Sequence, residues 1–193
     1  MLIASDIDDV LLDLIPAIAG FHNRIYGTDL RKEDFHSYRL GNVFGCSDEE
    51  TRRRMDEFLK TEEFKNIKPF EGAVEGVMRL REKGHSFVAI TSRVLSSRRI
   101  TEENVERYFP GIFTRRIYLA SNNYLKRFSD PKSKGAYCRE LGADVMIDDS
   151  VVYAEECRDL GIEVLLMDSP TNRNEEPEGI VRVRNWQEVV EYI

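Results

Sequence analysis

The stretch Leu2-Ile3-Ala4-Ser5-Asp6-Ile7-Asp8-Asp9-Val10 decides the architecture. Leu2, Ile3, Ala4 and Ile7 make the short apolar run of a buried strand, and carboxylates arrive where that run gives out. Alternate side chains of an extended chain share a face, so Asp6 and Asp8 are expected on one side and Asp9 on the other. Two carboxylates held together repel each other unless a proton or a cation intervenes. At the end of a buried strand, a hard cation bound by oxygen is the natural answer.

Working outward, residues 11–26 carry apolar positions 11, 14, 15, 18, 21, 22 and 25 at helical spacing, with Pro16 in an early turn and Gly27 as the stop. Residues 28–46 read as an aromatic loop, and Ser47-Asp48-Glu49-Glu50 is a capping box opening a charged helix to Leu59. A further helical turn is expected over 62–67. No strand pattern occurs in this stretch. The expected division is therefore a small helical insertion over 14–70 and a main domain built from 1–13 and 71–193.

Beyond Pro69-Phe70-Glu71-Gly72, helix and strand signals alternate. Helices are expected over 73–83 (with Val74, Val77, Met78 and Leu80 on one side), 100–108, 133–141 and 151–160. Strands are expected over 86–90, 116–120, 145–147 and 164–167, with 181–183 as an edge strand. Asn185 caps a closing helix. Strands alternating with helices of about ten residues predict an α/β fold, a parallel sheet covered on both faces.

The 193 residues suit one domain with a modest insertion, and a 41% apolar, 33% charged composition is that of a globular chain. The net charge of −7 argues against a nucleic-acid polymer as partner, because phosphate backbones need a basic face. No apolar run approaches the ~18 residues of a membrane span, so no membrane partner is expected. Met1 leads into a strand without a basic n-region, so no signal peptide is expected. Cys46, Cys138 and Cys157 are odd in number and lack CxxC spacing, which suggests a reducing compartment and buried packing roles. A cytoplasmic location is the resulting expectation, and nothing in the sequence sets an oligomeric state.

In open parallel sheets, ligands sit outside the carboxyl ends of the strands. Those ends carry, in order, Asp6/Asp8, Thr91-Ser92, a lysine-bearing loop and Asp148-Asp149. These are the parts needed to move a phosphoryl group. One carboxylate attacks as nucleophile, and a second protonates the leaving oxygen and later activates water. Further carboxylates hold Mg²⁺, while a hydroxyl, backbone N–H groups and a lysine hold the phosphate oxygens.

Asp6-Ile-Asp8-Asp9-Val10, Ile90-Thr91-Ser92-Arg93 and Met146-Ile147-Asp148-Asp149, in that order, resemble the motif series of the haloacid dehalogenase (HAD) superfamily. The resemblance runs from residue 3 to about 167. It implies a Rossmann-like parallel sheet with helices on both faces and a small helical cap inserted after the first strand. It also implies that Asp6 is the nucleophile and Asp8 the general acid/base, with Asp6, Asp8 (through its carbonyl) and Asp148 at the metal. Asp149 is either a further ligand or an outer-shell residue. Thr91 and Ser92 would bind phosphate. Lys126, Lys132 and Lys134 all lie in the interval of the superfamily's lysine. Ser133 reads as an N-cap that puts Lys134 in the first turn of a helix, so Lys134 is preferred and Lys132 is the alternative.

An acid at the position of Asp8 favours phosphate-ester hydrolysis over dehalogenation. The helical insertion and the stretch from Ser133 to Asp149 resemble the 5′-deoxyribonucleotidase-like branch. The function implied is a Mg²⁺-dependent phosphomonoesterase working through an aspartyl-phosphate on a small phosphorylated metabolite, with 5′-nucleotides as candidates. Two departures stand out. Leu14 occupies the place of an aromatic of that branch's base pocket, and Arg93 stands where its second motif has proline. Phe35, Tyr38 or Phe44 could supply stacking instead, and Arg93 could meet a second anionic group of the substrate or form a salt bridge. His22, His36 and His85 lack metal-ligand spacing and read as packed or exposed. Arg52-Arg53-Arg54 reads as a solvated face.

Two other classes remain in view. A phosphorylatable receiver domain also combines acids, Thr and Lys, but here the strand over 86–90 ends in Thr91 rather than an acid, and the ~60-residue insertion is foreign to it. A catalytically silent relative that only binds a ligand would show itself by altered metal affinity.

Overall fold

β1 (Leu2–Ser5) lies in the middle of the sheet, where Ile3 and Ala4 are fully buried. The structure, a computed structural model, describes residues 1–119 and 132–193. Its other strands are β2 (Ser86–Thr91), β3 (Phe113–Leu119), β4 (Val145–Asp148), β5 (Glu163–Met167) and β6 (Val181–Val183). All neighbours pair in parallel, in the order β3-β2-β1-β4-β5-β6. This order reverses between β1 and β4, and the crevice at such a reversal is where doubly wound sheets bind ligands. Ser5 pairs with Ile147, so Asp6 and Asp148 emerge side by side there.

Helices α1 (Leu14–Tyr26), α2 (Leu40–Phe44), α3 (Asp48–Phe58) and α4 (Glu62–Lys65) come between β1 and β2. They are followed by α5 (Ala73–Glu82), α6 (Arg98–Tyr108), α7 (Lys134–Leu141), α8 (Val151–Asp159) and α9 (Trp186–Tyr192). The strand period of two sorts the core into two layers. Ile3, Phe87, Ala89, Val145, Ile147, Leu165 and Met167 face one side with Val77, Val105 and Trp186 of α5, α6 and α9. Ala4, Val88, Ile90, Met146, Val164 and Leu166 face the other with Cys138 of α7 and Ala154 and Cys157 of α8. The first layer continues without a break into Phe21, Phe35, Phe58 and Phe64 of the helical segment.

The alternation expected from the sequence is present, with four local differences. The first helix begins at Leu14 rather than Leu11, because residues 9–12 form a turn that buries Val10, Leu11 and Leu12 and pairs Leu12 with Asp8 and Pro69. The expected loop over 28–46 contains a 3-10 turn at Lys32–Asp34 and the short helix α2. Met78 is 45% exposed and not on the inward face of α5, which is formed by Ala73, Gly76, Val77 and Leu80. That face is fixed by Trp186: its Nε1 donates to Val10 O at 2.8 Å, and a Cβ on Gly76 would lie 2.7 Å from its ring. Strand β3 starts at Phe113, earlier than expected, and the expected end at Ala120 lies outside the described residues. Cys138 and Cys157 are buried, Cys46 is half-buried, and all three are free.

Candidate active site

Each acid is placed by the end of a strand. Asp6 directly follows β1, its N–H donating to Ile147 O at 2.8 Å, and Asp148 ends β4. Ligand oxygens of Asp6, Asp148 and Asp149, all buried, lie within 4.8 Å of one another. Lys134, in the first turn of α7, lies between them. Its Nζ is 2.9 Å from Asp6 Oδ2 and 2.8 Å from Asp148 Oδ2. Ser133 caps this helix through Ala136 N–H, as its sequence suggests, and so aims Lys134 at the crevice. Lys132 instead pairs with Glu140 at 2.5 Å, and Lys126 lies outside the described residues.

Three carboxylates against one ammonium leave a buried excess of negative charge. Burial raises the Asp6 carboxyl to about 7, with Lys134 opposing and Asp148 and Asp8 adding repulsion. Asp149 is raised well above the usual carboxylate range by burial, then by Asp148, Asp9 and Asp6. Burial opposes the charge on Lys134, but Asp148 and then Asp6 outweigh it and keep the lysine an ammonium. Asp6 Oδ1 is buried and has no hydrogen-bond partner among the described residues. An orphaned carboxylate oxygen facing two other acids is what a hard divalent cation binds, so the donor set fits Mg²⁺.

Asp8 is held differently. Arg93 Nε lies 3.1 and 2.9 Å from its Oδ1 and Oδ2, and Arg93 Nη2 lies 2.6 Å from Oδ1. Arg93 Nη1 also donates to Thr101 Oγ1 at 3.1 Å, and the guanidinium sits 5.0 Å from the Phe64 ring centroid. The side chain of Asp8 therefore stands apart from the cluster of Asp6, Asp148 and Asp149. Arg93 is likewise engaged by Asp8 rather than held free for an anionic substrate group. Asp9 adopts a left-handed backbone (φ 54°), which Asp tolerates better than most residues. Its Oδ1 accepts from Ile15 N–H at 3.1 Å, capping α1 from outside the helix. Burial raises the Asp9 carboxyl to about 8, with the Ile15 hydrogen bond opposing.

Asp6, Asp8, Asp9, Asp149 and Lys134 form the floor of a cavity of about 510 Å³, roofed by the helical segment between β1 and β2. Leu14, Ile15, Ile18, Phe35, Met55 and Leu59 make an apolar wall. Phe35 is fully buried, edge-on to Phe44. Phe44 stacks on His22 at 4.1 Å instead of lining the cavity. Tyr38 lines the cavity, but its hydroxyl donates to Asp149 O and so ties the roof to the acid loop. Thr91 is fully buried, its Oγ1 accepting from Arg93 N–H at 3.2 Å, and it is not among the lining residues, whereas Ser92 is. Arg53 and Arg54 pair with Glu50, and Arg54 also donates to His22; Arg52 lies on the cavity rim.

Sequence reasoning missed two residues here. Asn172, fully buried, donates to Asp149 O at 2.7 Å and Met167 O at 2.8 Å, holding the acid loop from the far side of β5. Tyr153 accepts from Ser92 Oγ at 2.9 Å and covers Lys134 Nζ at 4.5 Å from its ring centroid. Its place at the start of the helix after the acid pair was the available signal.

The family model described as 5′ nucleotidase, deoxy (pyrimidine), cytosolic type C protein matches residues 1–193. A search of curated proteins finds no match. Among solved structures, the haloacid dehalogenase-like hydrolase SP0104 from Streptococcus pneumoniae superposes with a TM-score of 0.68 at 16% identity, covering 99% of this chain and 97% of that one. A predicted phosphatase from Clostridium acetobutylicum gives 0.69 at 14% identity, with coverages of 99% and 96%. A HAD-family hydrolase from Deinococcus radiodurans, with bound phosphate and sodium, gives 0.66 at 16% identity, with coverages of 97% and 92%. At these identities the superpositions establish a shared fold. No helix among the described residues is long and apolar enough to cross a membrane.

Proposed function

The chain belongs to the 5′ nucleotidase (deoxy, pyrimidine, cytosolic type C) family of HAD-like phosphatases, and from that membership we propose that it is a Mg²⁺-dependent phosphomonoesterase working through an aspartyl-phosphate on Asp6. The observation that carries this reading is Asp6 itself. It lies on the cavity floor with an unpartnered Oδ1, beside Lys134, Asp148 and Asp149.

Asp6, Asp148 and Asp149 would hold Mg²⁺, with the Asp8 carbonyl as a further ligand. When bound, the ion neutralises the acids against an anionic substrate and stabilises charge on the phosphoryl oxygens. Lys134 neutralises Asp6 and Asp148 and holds a phosphoryl oxygen. Ser92, on the cavity wall, and the Thr91 segment supply further donors. A carboxylate oxygen of Asp6 bonds to phosphorus as the ester P–O bond breaks, and Asp8 protonates the departing alkoxide. Asp8, now a carboxylate, takes a proton from water, whose oxygen bonds to phosphorus and releases inorganic phosphate and Asp6. Arg93 keeps Asp8 in one orientation through both steps, which makes it a positioning residue.

Residues 14–70 act as a small cap over the 1–13 and 71–193 core, closing on the substrate and excluding water. The substrate is a 5′-nucleotide whose base rests against Phe35, Leu14 and Met55. Support comes from the apolar wall and from the family's description, which names deoxy pyrimidine nucleotides and a cytosolic setting for its members. We carry both over to this chain.

The test is phosphate release from para-nitrophenyl phosphate and from a panel of ribo- and deoxyribonucleoside 5′-monophosphates, with and without Mg²⁺. Hydrolysis that requires Mg²⁺ and is lost in Asp6→Asn supports the reading. Full activity in Asp6→Asn sinks it. Absence of hydrolysis together with lost Mg²⁺ affinity, measured by calorimetry, would make the chain a silent ligand-binding relative.

A further inference from the structure

We propose that Tyr153 is a further catalytic residue, its phenolic O–H donating to a non-bridging oxygen of the phosphoryl group at Asp6. The proposal rests on the phosphatase reading and deepens its phosphate subsite.

Tyr153 is the third residue of α8, the helix that opens directly after Asp148-Asp149-Ser150. It is only 9% exposed, yet it belongs to neither hydrophobic cluster of the core. Val151, Ala154 and Cys157 of the same helix supply the inward packing without it. Its surroundings are polar instead. Ser92 Oγ donates to its oxygen at 2.9 Å, and Lys134 Nζ lies 4.5 Å from its ring centroid. Tyr153 lines the same cavity as Asp6, Ser92 and Lys134.

Proton counting gives the role. A phenol has one hydrogen to donate and lone pairs to accept with. Ser92 engages a lone pair, and among the described residues no acceptor takes the Tyr153 hydrogen. If the two hydroxyls reverse roles, the Ser92 hydrogen is the one left over. Either way the pair presents one uncommitted hydroxyl hydrogen in a buried wall beside the nucleophile, and an enclosed donor without an acceptor is unfavourable until a ligand supplies one. A phosphoryl oxygen is the acceptor the site is built to receive. The neighbouring ammonium draws density from the ring and strengthens the O–H as a donor. Burial raises the Tyr153 hydroxyl above its ordinary value, with Ser92 and Lys134 opposing, so the phenol keeps its hydrogen at neutral pH.

A bond to the phosphoryl group is blind to the leaving group. In Tyr153→Phe with saturating Mg²⁺, kcat/KM for para-nitrophenyl phosphate and for two unlike alkyl phosphates is expected to fall about tenfold, by a common factor, as for loss of one charge-assisted hydrogen bond. The dissociation constant of inorganic phosphate, measured by calorimetry, is expected to rise by a similar factor, while the thermal midpoint stays within a few degrees of the parent. An unchanged phosphate dissociation constant would overturn the proposal. So would a loss confined to one ester, which would place Tyr153 against the body of that substrate. Asp6→Asn, assayed alongside, judges the phosphatase reading separately. Its retained activity sinks that reading, whereas an inactive Asp6→Asn beside a fully phosphate-competent Tyr153→Phe sinks this proposal alone.

Discussion

Arg93→Ala removes the group that holds Asp8, and the size of its effect can be worked from the contacts. The Arg93 side chain is 5% exposed and that of Asp8 21%, so the pair is largely withdrawn from water. Breaking a fully buried pair by deleting one partner costs about 3–5 kcal/mol, because the other charge is left uncompensated. The residual exposure of Asp8 lets water recover part of this, which brings the ion-pair loss to about 2–3 kcal/mol. The Thr101 hydrogen bond and the position over Phe64 together contribute about 1 kcal/mol more. The expected destabilisation is about 3–4 kcal/mol by urea titration, a large share of a typical domain's stability. Arg93→Lys keeps the charge but loses the two-pronged geometry, and should fall about midway. The kinetic consequence is a loss of kcat, about a hundredfold, with KM nearly unchanged, since Asp8 loses its orientation while phosphate contacts remain. A double-mutant cycle with Asp8→Asn should show coupling of at least about 1 kcal/mol. The reasoning is refuted if Arg93→Ala costs under about 1 kcal/mol without coupling to Asp8, or if the defect is in KM alone, which would return Arg93 to a substrate contact.

Three further outcomes follow from named contacts. Lys134→Met leaves Asp6, Asp148 and Asp149 without their ammonium, so its thermal midpoint should fall sharply in chelator and recover with Mg²⁺ by a larger shift than the parent's; equal shifts would contradict the shared-charge picture. Gly76→Ala places a Cβ 2.7 Å from the Trp186 ring, and the overpacking should outweigh the gain in helix propensity by about 1–2 kcal/mol in urea titration, whereas a stabilised variant would show that Trp186 moves freely. His22 is fully buried, accepting from Arg54 Nη1 at 2.8 Å and bonding Thr28 Oγ1 at 2.8 Å, so it is neutral with its hydrogen on Nδ1. Its pKa is lowered, first by burial and then by Arg54, from the ordinary 6.5. A depressed histidine contributes full stability above 6.5, and that stability is lost as the unfolded chain takes up the proton below it, with a limiting slope of about 1.4 kcal/mol per pH unit. Between pH 6.5 and 5 the parent should therefore lose more stability than His22→Gln, and parallel profiles would refute the assignment.

Much of the fold was legible because the apolar runs are short, fully buried strands separated by helices with clear stops at Gly27, Gly84, Gly142 and Gly161. The strand-end rule places Asp6 and Asp148 together from the sequence, and the parallel pairing of β1 with β4 does the same in the structure. What stayed hidden depends on contacts between distant segments. Arg93 follows a strand end and faces the cavity, so sequence alone left open whether its partner was a ligand or Asp8, 85 residues away. Tyr38 reads as a stacking aromatic, and only the approach of its loop to Asp149 gives its hydroxyl a partner 111 residues away. Met78 follows the helical period as well as Val77 does, but the inward face of α5 is set by Trp186, more than a hundred residues later. Thr91 and Ser92 are interchangeable on paper; the pleat turns Thr91 into the core and leaves Ser92 on the cavity wall.

The central claim is that Asp6 carries the phosphoryl group. Mixing the Mg²⁺-loaded protein with para-nitrophenyl phosphate, quenching in acid within one turnover and mapping peptides by mass spectrometry tests it directly. We expect one phosphoryl group on the peptide containing Asp6, removable by hydroxylamine as an acyl phosphate is, and absent from Asp6→Asn. A phosphoryl group on any other residue, or rapid turnover with an unmodified Asp6 peptide at every quench time, would contradict it.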